Sequence, residues 1–302
     1  MTDTASYAAF LPERHRSDAV ALTSTWWEWR GRRVHIARAP NRDAQVRLLG
    51  IHGAGGYSGA LWPFTSAAAR QAEILVPDMP LYGHTVEPRP GRVRYGHWLD
   101  LLCDLVVAER TTDPRPLILF GASMGGMMAY ETAARTGQAD AVIVTCLLDP
   151  SDPDARAAAA RWAAVGRTAP RTLPVASRVA GDVRLPIRWL TRMDRISNDP
   201  ALSSLCASDP RGGGTRVPIG FLDSWFRYRH TPPEDYDGPP VTLVHPADDR
   251  WTPPFVSTRF ADRIAAPTRT VMLDGCGHFP IEEPGLTQMR EAVEDVARSL
   301  LA

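Results

Sequence analysis

The stretch LILFGASMGGMMAY, residues 117–130, joins an apolar run to a turn made of small residues. Its first four residues have the composition of a buried strand, and the residues after the turn are compatible with a helix. Between them, residues 121–125 read G-A-S-M-G, so Ser123 stands between two glycines. A G-x-S-x-G sequence between a strand and a helix is typical of a sharp turn that exposes the serine hydroxyl. The alternative is a glycine-rich turn whose serine takes part in no reaction.

The overall composition is ordinary for a soluble globular protein. The 302 residues carry 34 arginines, no lysine and 34 acidic residues, so the formal net charge is zero. A neutral chain does not favour nucleic acid or an anionic membrane surface as a partner. The longest apolar run, 141–148, is far shorter than the roughly 20 residues of a membrane-spanning helix. The N-terminal residues lack a basic segment followed by an apolar one, so we expect a cytoplasmic protein without an integral membrane segment.

Cysteine and histidine spacings do not predict a metal site. The four cysteines are scattered and form no CxxC pair: Cys103, Cys146, Cys206 and Cys276. We expect free thiols in a reducing compartment, with a single disulfide left open. The glycine-rich stretches 52–56 and 121–126 match neither nucleotide-binding pattern, G-x-G-x-x-G or G-x-x-x-x-G-K-[ST]. We therefore expect no metal and no cofactor. The oligomeric state is not determined by the sequence.

Strand-like and helix-like segments alternate along the chain, which predicts an α/β protein with a largely parallel sheet. A hairpin is expected around Gly31, followed by strands near 46–53 and 72–78 and an amphipathic helix over 95–110. Strand patterns are not evident between Ser151 and Gly238, where helical patches are interrupted by proline and glycine. Strand patterns resume near 239–246 and 268–275. The pattern predicts a core formed by residues 1–150 and 239–302, interrupted by a helical insertion over 151–238.

Several motifs occur in the order found in one large family. After the third predicted strand comes HGAGG (52–56), then PDMPLYGHT (77–85), GASMGG (121–126), HPADDRWTP (245–253) and GCGHFP (275–280). The chain resembles the α/β-hydrolase superfamily, and within it the capped lysophospholipase and monoacylglycerol-lipase-like serine hydrolases. The resemblance covers nearly the whole chain. It implies a mostly parallel eight-stranded sheet flanked by helices, with an inserted helical cap. Ala122 departs from the pattern, because histidine usually stands at that position.

The resemblance implies a catalytic triad in the chain order Ser, Asp, His, as this fold requires. Ser123 would be the nucleophile and His278, which follows the last predicted strand, the base. Asp249 matches the acid position by its spacing from the residues that flank it in the motif. Asp248 and Asp149 remain alternative acids. His52, in the HGAGG stretch, is expected to hydrogen-bond loop backbone instead.

An oxyanion intermediate needs about two preorganised N–H donors. The backbone N–H of Met124, the residue after the nucleophile, would be one of them. The HGAGG loop would supply the second, most plausibly from Ala54. A glycine turn without this role is the alternative interpretation of that loop.

These residues together predict a serine hydrolase of the carboxylesterase or lipase type, acting on esters with an apolar or medium acyl chain through an acyl-enzyme. Thioesterase, C–C hydrolase or acyltransferase chemistry on the same triad stays open, as does a non-catalytic small-molecule-binding protein on this scaffold. Apolar residues of the insertion are candidates for the substrate pocket, or for ordinary packing between cap and core: Trp189, Phe221, Leu222 and Trp225.

Overall fold

The computed structural model describes residues 4–16 and 21–302. The strands of this part of the chain are β1 Thr23–Trp29, β2 Arg32–Ala39, β3 Arg47–Ile51, β4 Glu73–Pro77, β5 Leu117–Gly121, β6 Ala141–Val144, β7 Arg184–Pro186, β8 Arg216–Pro218, β9 Val241–Pro246 and β10 Thr268–Leu273. The helices are α1 Thr4–Ala8, α2 Glu13–Arg16, α3 Ser58–Ala68, α4 Tyr95–Thr112, α5 Met124–Thr136, α6 Pro153–Ala159, α7 Ala163–Ala180, α8 Ile187–Leu190, α9 Pro200–Ser208, α10 Ile219–Phe226, α11 Pro254–Ala261 and α12 Gly285–Ser299.

Eight strands form one sheet in the order β1-β2-β4-β3-β5-β6-β9-β10. The β1–β2 and β2–β4 pairs are antiparallel, and the pairs from β4 onward through the sheet are parallel. Arg30 and Gly31 connect β1 to β2 with φ values of 47° and 76°, as a tight two-residue hairpin turn requires. The predicted hairpin and the predicted α/β-hydrolase fold are confirmed.

The central strands are buried on both faces. Every residue of β3, β5, β6 and β9 is buried, which is why these strands appear in the sequence as continuous apolar runs without alternation. The carboxyl ends of parallel strands meet at one edge of a sheet, and ligand sites of α/β proteins lie at that edge. The loops that follow β3, β5, β9 and β10 carry the motifs singled out in the sequence.

The segment between β6 and β9 contains α6 to α10. It also contains β7 and β8, which pair as a separate antiparallel ribbon. The expectation that 151–238 holds no strands is therefore wrong. Each of these strands is only three residues long and ends in proline, at Pro186 and Pro218, so neither is long enough to show an alternating pattern.

Residues throughout this segment contact the core, for example Asp209 with Tyr7 and Thr215 with Leu81, and α10 with the residues after it forms one of these contact regions. The ring centroids of Phe221 in α10 and Trp98 in α4 are 4.7 Å apart. The backbone N–H of Tyr95 donates to Ser224 Oγ at 2.8 Å, and the Tyr95 hydroxyl lies 3.0 Å from His230 Nε2. These contacts place α10 beside the carboxyl edge of the sheet.

Candidate active site

Ser123 lies at the turn between β5 and α5 in a conformation that non-glycine residues rarely adopt. Its φ is 56° and its ψ is −128°, a strained backbone whose cost is about 1–3 kcal/mol. The surrounding structure holds it there, since the Ser123 N–H donates to Thr145 Oγ1 at 3.0 Å and the Ala122 N–H donates to the Ile51 carbonyl at 2.9 Å. The hydroxyl is thereby presented at the edge of the sheet.

The glycines beside Ser123 allow α5 to approach the strands closely. A Cβ atom on Gly125 would lie 2.1 Å from the Ile51 carbonyl oxygen, and one on Gly126 would lie 2.0 Å from the Cys146 carbonyl oxygen. Both distances are far below van der Waals contact, so any side chain at either position would push the helix away. The glycines therefore serve the close packing that positions Ser123.

Three side chains predicted from the sequence meet at this edge. Ser123 Oγ lies 2.9 Å from His278 Nε2, and His278 Nδ1 lies 2.8 Å from Asp249 Oδ2. Because a carboxylate only accepts hydrogen bonds, this network assigns the imidazole proton to Nδ1 and leaves Nε2 to accept from the serine hydroxyl. A hydroxyl, an imidazole and a carboxylate in this order can transfer a proton from serine to histidine.

Asp249 is fixed by the turn that follows it. Its Oδ1 accepts the backbone N–H groups of Trp251 and Thr252, each at 2.8 Å, and its Oδ2 accepts the Thr252 hydroxyl. The Asp249 side chain is completely buried. Burial on its own raises the pKa of the carboxyl, but the adjacent His278 and the hydrogen bonds from His278 and Thr252 outweigh it and lower the pKa below its ordinary value of 3.8.

The lowered pKa of Asp249 has a defined effect on stability. A group whose pKa is depressed on folding stabilises the folded state above its ordinary pKa. That contribution is lost as the pH falls through the lowered value. The carboxylate therefore stays charged, and able to hold His278, at any pH above its ordinary pKa.

The two alternative acids lie elsewhere. Asp248 is exposed, and its backbone N–H donates to the Cys276 carbonyl. Asp149 contacts Ser151 and lies 3.4 Å from His230 Nδ1. Neither side chain contacts His278 in the described part of the chain, so the geometry at this edge favours Asp249 as the partner of the histidine.

The loop after β3 lies directly against the serine turn. A Cβ on Gly53 would be 2.8 Å from Ser123 Cβ and 3.0 Å from the Met124 nitrogen. Within the described residues, the N–H groups of Ala54 and Met124 donate to no protein atom. Ala54 lines a cavity together with Ser123. Met124 directly follows Ser123 and begins α5, whose N-terminus favours negative charge.

His52 holds the loop after β3 in place through hydrogen bonds of its two ring nitrogens. Its Nδ1 donates to the Gly53 carbonyl at 2.8 Å, and its Nε2 accepts the Met79 N–H at 2.9 Å. Complete burial, opposed only in part by the Gly53 carbonyl and by Asp78, lowers the pKa of His52. The neutral ring therefore acts as a spacer between two backbone segments, as expected from the sequence.

Two cavities meet at Ala54. The smaller, about 40 Å³, is lined by Ser123, His278 and Trp251, among others. The larger, about 130 Å³, is lined by Ala54 and Met124 on one side and by side chains of 151–238 on the other. Phe221, Leu222 and Trp225, all predicted from the sequence, line this second cavity.

Trp189 is not brought to either of these cavities. Its side chain is 57% exposed, and it lines a separate surface cavity together with Arg161 and Met193. The apolar pattern of the sequence does not distinguish Trp189 from Trp225, because each lies within a short helical patch. Only the packing of α8 and α10 separates them.

Three residues of the site were not identified from the sequence. Thr252 holds Asp249, Thr145 holds the backbone of Ser123, and the Trp251 ring lies 4.7 Å from the ring of His278. A signal exists for Thr252, because an aspartate commonly accepts the backbone N–H groups two and three residues later. Thr145 follows a buried strand and carries no comparable signal.

The described residues form no group of three or more His, Cys, Asp or Glu side chains that could hold a metal ion. The four cysteines are free thiols. None of the described helices is long and apolar enough to cross a bilayer.

Solved structures with this architecture include several lipases and esterases. A soluble variant of monoglyceride lipase from Saccharomyces cerevisiae superposes with a TM-score of 0.68 at 18% identity, covering 93% of this chain and 95% of that one. A monoacylglycerol lipase from Paleococcus ferrophilus gives 0.65 at 18% identity, with 88% and 98% covered. A thermophilic esterase from Thermogutta terrifontis gives 0.62 at 17% identity, with 94% and 100% covered.

These identities are low, and the likenesses establish the fold alone. No curated protein sequence matches the chain. The sequence profile of one family, however, matches residues 48–293, a range that includes Ser123, Asp249 and His278. The chain belongs to the alpha/beta hydrolase family.

Proposed function

We propose that this protein is a serine hydrolase that cleaves carboxylic esters through an acyl-enzyme. The observation that carries the proposal is the 2.9 Å contact between Ser123 Oγ and His278 Nε2, at a strained turn that exposes the hydroxyl. A serine hydroxyl is a weak nucleophile and becomes reactive only when an adjacent base removes its proton. His278 is in the position to do so, and Asp249 holds its ring.

The reaction has two halves. Ser123 Oγ attacks the ester carbonyl carbon while His278 Nε2 takes the serine proton, and Asp249 stabilises the resulting imidazolium. The tetrahedral intermediate collapses as its C–O bond to the alcohol breaks, and His278 gives the proton to the departing alcohol. Water then enters, loses a proton to His278 and attacks the acyl-enzyme, which releases the carboxylic acid and restores Ser123.

The negative charge of the tetrahedral intermediate falls on the former carbonyl oxygen. The backbone N–H groups of Ala54 and Met124 donate to no acceptor in the part of the chain that the structure describes, and they are the donors proposed for it. Removing one such donor costs about 10²–10³-fold in kcat in comparable sites. Gly53 permits this arrangement, because its missing side chain lets the loop lie against Ser123.

The cavities fit an acyl group of moderate length. An apolar protein cavity of about 150 Å³ holds benzene, so the cavity of about 130 Å³ beside Met124 has room for about six non-hydrogen atoms. Phe221, Leu222 and Trp225 give it an apolar wall suited to an acyl chain. The cavity of about 40 Å³ at His278 is left for the alcohol or for the attacking water.

A fluorophosphonate probe tests the nucleophile. We expect it to label the folded protein at Ser123, with the site identified by mass spectrometry of the labelled peptide. Ser123→Ala should abolish the labelling. Asp248→Asn, at an exposed position outside the site, should leave it intact. Labelling that persists in Ser123→Ala, or absence of labelling in the folded wild type, would refute the serine mechanism.

A substrate panel tests the bond that is cleaved. We expect p-nitrophenyl esters to be hydrolysed, with kcat/KM rising from acetate to about hexanoate and falling for chains that exceed the cavity. Thioesters and anilides of the same acyl groups are assayed beside the esters, so that the rates of cleavage of the three kinds of bond can be compared. Faster cleavage of a thioester than of the matched ester, after correction for their uncatalysed rates, would replace the ester hydrolase by a thioesterase.

A further inference from the structure

The His278 ring has an aromatic neighbour whose side chain takes no part in the hydrogen bonds of the triad. The ring centroids of Trp251 and His278 are 4.7 Å apart, and the two ring planes are inclined by 39°. Aromatic pairs are found at about 4.5–7 Å, so this pair is close, and its inclination is nearer to offset stacking than to an edge-on contact. Trp251 is 6% exposed and His278 is 5% exposed, so the contact is shielded from water.

The Trp251 ring is held at both of its ends. The backbone N–H of Trp251 donates to Asp249 Oδ1 at 2.8 Å, and its indole N–H donates to the Ala158 carbonyl oxygen at 3.0 Å. Ala158 belongs to α6, so the indole joins the loop that carries Asp249 to the segment 151–238. A side chain fixed at its backbone and at its far end has little freedom to move away from His278.

The two nitrogens of the His278 ring already have their partners. Nδ1 lies 2.8 Å from Asp249 Oδ2, and Nε2 lies 2.9 Å from Ser123 Oγ. The N–H bonds of an imidazole lie in the plane of its ring, so these two partners act on its edge. A third group can act on the charge of the ring only through one of its faces, which is where the tilted contact places Trp251.

Resting on the proposed function, we infer that Trp251 is a positioning residue that stabilises the imidazolium form of His278 during both proton transfers. The face of an indole attracts a cation that lies within about 6 Å of its centroid, and the attraction is stronger where water is excluded. The imidazolium forms as Ser123 attacks and is absent from the resting enzyme. An interaction made only with that form lowers the barrier of the reaction.

Other charged and titratable groups also act on His278. Asp249 faces Nδ1, His245 is buried in β9 and interacts electrostatically with the His278 ring, and Glu282 accepts the Gly277 N–H at 3.3 Å. All of them remain in place when only the side chain at position 251 is changed. Their effects on the charge of His278 therefore cancel when variants at this position are compared with the wild type.

Trp251→Leu tests the inference, because it removes the aromatic face and keeps the backbone N–H that donates to Asp249. We expect kcat for the best p-nitrophenyl ester to fall about tenfold, with a smaller change in KM, as loss of a shielded cation–π contact implies. The acid limb of the plot of kcat/KM against pH should move to lower pH by about 0.5–1 unit, because the imidazolium loses stabilisation.

The direction of this movement separates the inference from a purely structural role. If the Trp251 ring only shields His278, its removal lets water solvate the imidazolium, and the acid limb moves to higher pH. If the ring only fills space, the acid limb stays where it is in the wild type. Either of these two results would overturn the inference, whatever the change in kcat.

Two further variants complete the comparison. Trp251→Phe keeps an aromatic face but loses the hydrogen bond to Ala158, so its acid limb should move in the same direction as in Trp251→Leu, and less far. This variant carries the test if circular dichroism shows that the leucine variant is not folded. Trp162→Leu is the control, because that ring is 60% exposed and lies outside the site. It should change neither kcat nor the acid limb.

The rate of fluorophosphonate labelling provides the same measurement if no ester is cleaved, since labelling of Ser123 also requires the neutral form of His278. Its acid limb should move to lower pH in Trp251→Leu. If Ser123 is labelled in the wild type and the limb does not move down in the variant, only the role of Trp251 is refuted. If Ser123 is not labelled in the wild type, the proposed function fails and this inference fails with it.

Discussion

The two sides of the site are built differently. On the sheet side, Ser123, His278 and Asp249 are each fixed by hydrogen bonds to named neighbours, and every one follows the carboxyl end of a strand. On the side of 151–238, the wall consists mostly of apolar side chains held by packing. The first side specifies which reaction occurs, because its atoms must lie within hydrogen-bond distance. The second specifies which molecule fits.

The same contrast appears in how tightly each side is packed. Glycines 125 and 126 leave no room even for a methyl group, whereas α7 leaves Val175 64% exposed and Val179 87% exposed. Substitutions on the sheet side should therefore change turnover, and substitutions on the other side should change stability and substrate preference.

The largest effect is expected at the acid of the triad. Asp249→Asn replaces the carboxylate that holds His278 Nδ1–H by an amide, which can donate and so favours the wrong tautomer of the imidazole. We expect kcat to fall by about 10⁴-fold, measured with the best p-nitrophenyl ester. The matched control is Asp248→Asn, which should stay within about twofold of wild type. A large loss in Asp248→Asn instead would shift the acid to that residue.

The next effect concerns the wall opposite the sheet. Phe221 is 1% exposed and packs on Trp98, so Phe221→Ala should destabilise the protein by about 3–5 kcal/mol, measured by urea unfolding. Phe255→Ala is the control, because that ring is 53% exposed and its removal should cost within about 0.5 kcal/mol. Equal stability losses in the two variants would mean that α10 is not packed on α4 in solution.

The oxyanion loop tests the sheet side without touching the triad. In Gly53→Ala the new methyl group would meet Ser123 Cβ and the Met124 nitrogen, so the loop must retreat. We expect kcat to fall about 10²-fold with little change in KM. Gly96→Ala, where a methyl group meets nothing within 4 Å, should leave kcat unchanged. A Gly53→Ala variant with wild-type kcat would exclude this loop as a donor.

The smallest effect is expected at Thr252. Thr252→Val keeps the shape of the side chain and removes the hydroxyl that donates to Asp249 Oδ2. Asp249 keeps its backbone donors, so we expect only about a tenfold loss of kcat, or about 1.4 kcal/mol, with KM unchanged. Thr252→Ser should restore most of the rate. If serine fails to do so, the methyl group of Thr252, and not its hydroxyl, holds the site.

The sequence predicted the fold and the site best at positions where burial or backbone geometry restricts which residue types can stand there. Ser123 follows β5, whose apolar run is unmistakable, and the glycines at 121, 125 and 126 are required by backbone contacts that any side chain would prevent. His278 was located by the order of the motifs, because the strand before it is mostly exposed. The short strands β7 and β8 were not predicted, because three residues are too few to show an alternating pattern. The role of Thr145 was not predicted, because its partner, the N–H of Ser123, lies 22 residues away and no local sequence pattern indicates the contact.

What the sequence determined by itself is the order of elements and the small set of residues that can carry chemistry. Strand periodicity, turn glycines and motif order are short-range properties that each segment carries alone. Tertiary structure decided among the candidates that the sequence left open: Asp249, favoured by its spacing over Asp248 and Asp149, lies against His278, and Trp225 rather than Trp189 lies against the cavity. The physical reason is that contact between distant segments depends on how helices and strands pack, and composition does not distinguish one aspartate or tryptophan from another.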